Sequence, residues 1–328
     1  MKILITGGSG FIGTNLIQYL LDQHNKYEII NLDINIPKNN QQNQYWKKCD
    51  IKDKKSVLVL FNEFKPDCII HLAAKASLKG KTLDDFPDNI IGTQNIVDCI
   101  KQTSSIKKFI HTSTQYVNTP GVHPKSETDF SPYTVYGLSK VKSEKIVRNA
   151  NLDCEWFIIR PTNIWGPWHS VFPYELWPYL SKRFYFHPGF SPINKYYGFI
   201  GNSVCQIEKL LYIKDKSLMN QVYYITDPPI DNAEWMNSFS VALSGYNIRK
   251  IPKFLWKIFA LSGDFLNSIG LKVPLDSERY FRLTVNEALP YKKSIELTGG
   301  PHYNLTQGIS LCMDWIKKYF PDLIRVTK

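Results

Sequence analysis

Short apolar, β-branched runs recur along the first half of the chain: "KILIT" at 2–6, "YEIINLD" at 27–33, "DCIIHLAA" at 67–74, "KKFIHTST" at 107–114 and "EWFIIRP" at 155–161. Runs this apolar suit strands covered on both faces. Stretches of helical period lie between them, near 11–23, 53–63, 84–103 and 136–150, and that alternation predicts an α/β fold built on a parallel, doubly wound sheet. After "RPTNIWGP" at 160–167 the alternation stops and a segment dense in aromatics and prolines runs from Trp165 to Phe190. "YYGFIGNSVCQIEKLL" and "QVYYIT" then read as a helix and a strand returning to the sheet. The expected division is a larger domain of 1–161 plus about 196–226, and a smaller C-terminal substrate domain of about 162–195 plus 227–328.

Composition adds bounds. With 328 residues, 43% hydrophobic and 14% aromatic, the chain can bury a sizeable core, which excludes a disordered protein. The formal charge is +11, but no run of five basic residues occurs, so a nucleic-acid surface is unsupported and the lysines read as a solvated surface. Cysteines at 49, 68, 99, 154, 205 and 312 lack C-x-x-C spacing and sit in apolar segments, as reduced core residues of a cytoplasmic protein do. "MKILIT" reads as the first strand, leaving no room for a secretory signal. The most apolar stretch, "FLWKIFALSGDFLNSIGL" at 254–271, contains Lys, Ser, Gly and Asp and reads as an amphipathic helix packed on its own domain, without stable membrane insertion.

"ILITGGSGFIG" ends a strand and opens a helix, with Gly7, Gly10 and Gly13 in a Gly-x-x-Gly-x-x-Gly pattern and Gly8 making an overlapping one. Missing side chains let the chain turn tightly and let a pyrophosphate approach amides at a helix N-terminus. Asp33 follows Gly13 by 20 residues at the end of the second apolar run, where a carboxylate accepts from both ribose hydroxyls of an adenosine and repels a 2′-phosphate. The pattern therefore predicts a Rossmann sheet binding NAD in preference to NADP. Asp50 and Ile51 in "CDIKD" are placed to clamp the adenine edge. In "YGLSK", Tyr136 and Lys140 stand four apart, which brings both to one helix face.

"TGGSGFIG", "HLAA" at 71–74, "STQYV" at 113–117, "YGLSK" at 136–140 and "RPTNIWGP" come in an order and spacing that resembles the extended short-chain dehydrogenase/reductases, specifically the NAD-dependent nucleotide-sugar epimerase/dehydratase family. The resemblance runs over nearly the whole chain. It implies that Phe11, Ile12, Leu72, Ala73 and Ala74 join the cofactor site, that Thr114 holds the substrate oxygen, and that Tyr136 is the base with Lys140 its helper. A phenol titrates near ~10, so lowering its pKa by ~3 units requires about 4 kcal/mol of preferential phenolate stabilisation, which Lys140 and the nicotinamide ring would supply. It also implies a substrate diphosphate near Asn163, and a homodimer pairing helices 84–103 and 136–150 through Ile91, Val97, Val141 and Val147.

Some positions depart from the family pattern. Lys195 stands where an arginine is usual, Phe199 where a histidine is, and Asn202 where an aspartate is; lysine loses the bidentate geometry that arginine offers a phosphate. Arg279 and Arg282 in "SERYFRLT" are both candidates for the late arginine that binds the diphosphate. His71 reads as a core histidine, and His169 and His187 lack metal-ligand spacing, so no metal is expected. Trp165, Trp168, Tyr174, Trp177 and the Phe184–Phe186 run read as core of the smaller domain. In dehydratases of the family an Asp-Glu pair follows the Thr; here Gln115 and Tyr116 follow Thr114, which favours epimerisation, at C4, over 4,6-dehydration. A 3β-hydroxysteroid-type or nucleotide-sugar dehydrogenase/reductase shares every cofactor motif. A non-catalytic NAD-binding regulatory module would not need Thr114, Tyr136 and Lys140 together.

Overall fold

A computed structural model describes residues 1–325 apart from 25, 272 and 274. Its central sheet is built from β1 (Lys2–Thr6), β2 (Glu28–Asp33), β3 (Trp46–Lys48), β4 (Cys68–His71), β5 (Lys108–Thr112), β6 (Glu155–Pro161) and the strand Gln221–Ile225. The spatial order is Gln221–Ile225, β6, β5, β4, β1, β2, β3, and every pairing is parallel. The order reverses at β1, which pairs with β4 on one side and β2 on the other. Connections leaving β1 and β4 therefore diverge and open a crevice at the carboxyl edge of the sheet. The helices α1 (Phe11–Leu21), α2 (Lys54–Phe64), α3 (Thr93–Lys101) and α4 (Val135–Arg148) cover its faces, with one π-helical turn, Asp88–Gly92, leading into α3. Ile3, Leu4, Ile5, Ile69, Ile70, Phe109, Ile110, Phe157 and Ile158 are wholly buried, as strands covered on both sides require.

The chain divides into two compact units, the first of Met1–Ile164, Gly198–Asp227 and Leu289–His302, the second of Trp165–Tyr197, Pro228–Ala288 and Tyr303–Lys328. Leu289–His302, assigned by sequence to the smaller domain, lies in the first unit because its helix Lys292–Thr298 packs on the Gln221–Ile225 strand and the Ile200–Leu210 helix. Lys293 there pairs with Glu127 at 3.7 Å.

The second unit is a helical assembly around an aromatic core. Trp235 stacks on Tyr197 with ring centroids 4.2 Å apart and meets Phe239 at 4.8 Å, while Trp165 and Trp177 are also buried. Tyr174 and Phe184 are exposed, so the expected core holds only part of that segment.

Two expectations about surfaces change. Val97, Val141 and Val147 are buried in their own chain, leaving Ile91, 53% exposed, as the one residue of the four expected at a dimer interface that faces solvent. Val97 and Val147 belong to the core that α3 and α4 form with the sheet, and Val141 is buried on α4, so their apolar character serves packing within the chain. The helix Lys253–Ser268 does pack on its own unit through Trp256, Ala260 and Gly263, but Phe254, Ile258, Leu261 and Phe265 face outward. No helix among the described residues is long and apolar enough to cross a membrane, and the six cysteines are free and buried.

Candidate active site

The turn between β1 and α1 sets the first half of the site. Gly7 has φ +74, and a Cβ there would stand 2.5 Å from the Ala73 amide nitrogen, so a side chain is excluded by both conformation and space. No side chain caps α1 at Gly10, which leaves the positive end of the helix open to an anion. Phe11, Ile12 and Gly13 form the first turn of that helix. Asp33 ends β2 and accepts from the Ser9 amide at 3.1 Å and the Asn35 amide at 2.8 Å. Burial raises its pKa and the backbone donors oppose that rise.

A cleft of about 370 Å³ lies beside these groups, lined by Gly7, Gly10, Asp33, Asp50, Ile51 and Leu72–Ala74. Ser9, Asn35, Lys38 and Asp88 also line it and were not expected; Ser9 and Asn35 lie within or beside the predicted motifs, whereas Asp88 reaches the cleft only through folding. An uncapped helix end for pyrophosphate, a carboxylate for a ribose diol and apolar walls for an adenine make this donor set a fit for NAD.

The second half is built by β5 and α4. Thr134 caps α4, its hydroxyl accepting from the Gly137 amide at 3.0 Å. Any side chain at Gly137 would run into the Tyr116 carbonyl, so the glycine of "YGLSK" is what lets α4 approach the turn carrying Thr114. Tyr136 and Thr114 are thereby joined through their side chains, and both are nearly buried. Burial pushes the Tyr136 phenol up to about 12 against the pull of the Thr114 hydrogen bond, which lowers it. Lys140 is 2% exposed and its Nζ donates to the Thr112 carbonyl at 2.8 Å. Burial pushes this ammonium down to about 8 while Glu144, one turn on, pulls it up.

Below them lies a buried pair with no obvious signal in the sequence. Arg160 clasps Glu144 with two bonds of 2.8 Å and donates to the Tyr224 hydroxyl at 3.1 Å and the Glu127 carbonyl at 2.6 Å. These bonds fix α4 against β6. Gln115 is nearly buried and donates to the Asn163 side chain at 3.2 Å. Asn202 donates to Asp227 at 2.9 Å and the Phe199 amide does so at 2.8 Å, so a carboxylate from another segment stands beside the asparagine that replaces the usual aspartate. Burial pushes Asp227 up to about 7. His71 is a core residue between Thr6 and Thr93, and burial pushes it down to about 3. Among the described residues no cluster of three or more His, Cys, Asp or Glu is arranged to hold a metal ion.

In the second unit, all three candidate phosphate cations are paired. Lys195 bonds Glu287 at 3.1 Å with both side chains under 10% exposed, Arg279 faces Glu175 at 3.7 Å, and Arg282 bonds Glu278 at 3.1 Å. A cavity of about 490 Å³ in this unit is lined almost wholly by apolar groups, among them Phe172, Leu176, Phe186, Met236, Trp256 and Leu283, with Glu175 and Arg279 as its charged members. Its apolar character was not expected.

A family model described as the NAD dependent epimerase/dehydratase family matches residues 3–192. The UDP-glucose 4-epimerase of Mycolicibacterium smegmatis is 34% identical over 184 residues, 51% of this chain and 57% of that protein. The dTDP-glucose 4,6-dehydratase of Escherichia coli is 27% identical over 216 residues, 55% of this chain and 58% of that protein. The chain thus spans a little over half the length of these curated relatives. Among solved structures, dTDP-glucose 4,6-dehydratase from Bacillus anthracis in complex with NAD superposes with a TM-score of 0.72 at 21% identity, covering 98% of this chain and 99% of that one. UDP-glucose 4-epimerase from Thermotoga maritima with UDP-glucose gives 0.73 at 21% identity, covering 97% and 99%. At that identity the likeness establishes the fold.

Proposed function

Because the chain belongs to the NAD-dependent epimerase/dehydratase family, we propose that it inverts a secondary alcohol of a nucleotide-linked sugar, at C4, through a transient ketone. The observation that carries this choice is Gln115: the residue after Thr114 is a nearly buried amide tied to Asn163, and Tyr116 follows it, so no carboxylate stands beside the Thr to serve an elimination.

Gly7, the α1 terminus, Asp33, Asp50, Ile51 and Leu72–Ala74 would hold NAD, which would supply the hydride acceptor for the carbinol carbon and the hydride donor for the ketone. Thr114 holds the substrate oxygen by a hydrogen bond. Tyr136, as phenolate, takes the proton of that hydroxyl and later restores it. Since the phenol stands near 12 even with the Thr114 hydrogen bond lowering it, the positive charge of Lys140, one turn away, and of the nicotinamide ring would have to favour the phenolate. In the first unit Asn163 would contact the diphosphate; in the second, taken by itself, Lys195, Arg279 and Arg282 are the cations a phosphate would have to draw from their carboxylates. A homodimer through the π-helical turn leading into α3 and through α4 belongs to the same reading, carried by Ile91 with the half-buried Ile90 and Ile146 in place of the three valines.

The apolar cavity of the second unit and its paired cations favour a second reading, net oxidation of an apolar alcohol such as a 3β-hydroxysteroid. Incubating the full chain and NAD with UDP-, GDP- and CDP-hexoses and with 3β-hydroxysteroids, read by proton NMR and NADH absorbance, separates the two. A C4-inverted sugar without net NADH is expected. A 4-keto-6-deoxy sugar, or stoichiometric NADH from any substrate, overturns the epimerase.

A further inference from the structure

The Lys253–Ser268 helix carries an apolar stripe that its own fold does not use. Phe254, Ile258, Leu261 and Phe265 recur at intervals of four, three and four residues, which places them on one face. They are 63, 53, 55 and 65% exposed. Ile269 and Leu271, also exposed, continue the apolar surface past the helix end. The opposite face, with Trp256, Ala260 and Gly263, is the one packed on the unit. A single helix with two apolar faces, one buried and one bare, has more hydrophobic surface than its fold requires.

Charge identifies what covers the bare face. Arg249, Lys250, Lys253 and Lys257 lead into and along this helix, all exposed, and no carboxylate occurs between Arg249 and Asp264. Asp264 is engaged by the amide and hydroxyl of Ser277 at 3.0 and 2.5 Å. The stripe is therefore bordered at its start by four exposed positive charges on a chain whose net charge is +11. Bulky apolar residues on one face with lysines beside them are what an anionic bilayer surface binds: the rings and aliphatic chains enter the headgroup boundary and the cations meet lipid phosphates. A second copy of this helix laid parallel would bring the same four cations together, which disfavours that pairing.

We propose that the second unit docks on an anionic lipid surface, with the Phe254–Phe265 face of this helix lying in the headgroup layer and Arg249, Lys250, Lys253 and Lys257 against the lipid phosphates. The site lies outside the cofactor cleft, so the proposal holds for either substrate reading. Trp256 and Phe259 of the same helix also line the 490 Å³ apolar cavity, which makes the cavity wall and the docking face neighbours on one element.

Co-sedimentation of the full chain with phosphatidylcholine vesicles, with and without phosphatidylglycerol, at low and high salt, tests this. Binding to the phosphatidylglycerol vesicles alone, weakened by salt, is expected. The pair Ile258→Glu and Phe265→Glu, at exposed positions, and separately the triple Lys250→Glu, Lys253→Glu and Lys257→Glu, should each lower the partition coefficient about tenfold or more while the melting temperature and NAD binding stay unchanged. Absence of wild-type binding to the anionic vesicles, or variants that bind as the wild type does, overturns the proposal. So does self-association that Ile258→Glu abolishes with no vesicle binding, since the occupant is then a second copy.

Discussion

The two units treat charge in opposite ways. In the first, the groups of the candidate site are poised by backbone: Asp33 is held by two amides, the buried Lys140 by a carbonyl, and the start of α1 has no side-chain cap at all. In the second, Lys195, Arg279 and Arg282 each face a carboxylate, and the 490 Å³ cavity there is apolar. Backbone-poised groups stay available to a ligand, whereas paired side chains must first part from their partners. The first unit is thus ready for its cofactor, while recognition of a diphosphate by the second requires exchange of existing ion pairs.

The sharpest way to break that contrast is at Tyr136. If the first unit is the reaction centre, Tyr136→Phe lowers turnover by about 10²–10⁴-fold with NAD affinity retained, measured by steady-state rates and cofactor titration; near-normal turnover would mean that the Tyr136–Thr114 contact serves structure alone. A smaller effect separates the two kinds of cation. Lys195→Met strands Glu287 in a buried position and should cost about 3–5 kcal/mol of stability, whereas Arg279→Ala, at a half-exposed pair, should cost under about 1 kcal/mol, both read by denaturant unfolding. Equal losses would show that burial does not distinguish the pairs. The smallest effect is at the cofactor: Asp33→Ala should narrow the preference for NAD over NADP by about tenfold, and equal affinities in the wild type would remove Asp33 from the ribose.

The same contrast explains what the sequence made visible. Five apolar runs and the glycine turn are local signals, and each became a strand or the β1–α1 connection close to its expected bounds. β3 escaped notice because "WKK" is short, polar and at an edge. The Gly137 contact with Tyr116, the Arg160–Glu144 clasp and the Lys195–Glu287 pair join residues separated in sequence, so no window along the chain contains both halves. Periodicity found the helix over 253–268 but not its orientation, because a stripe looks the same whether it turns inward or outward. For the same reason three valines expected at a dimer interface proved to be core.

Each unit is assembled from three separate lengths of chain, interleaved along the sequence, so the polypeptide passes from one to the other at residues 164, 197, 227, 288 and 302. Neither can be excised as one continuous fragment, and no single recombination event could graft a different recognition unit onto this cofactor-binding one. Diversification on such a plan has to proceed by substitution in place, with the connectivity inherited whole. A lysine where the resemblance implied an arginine, and an apolar wall around the second unit's cavity, are the kinds of change that route leaves open.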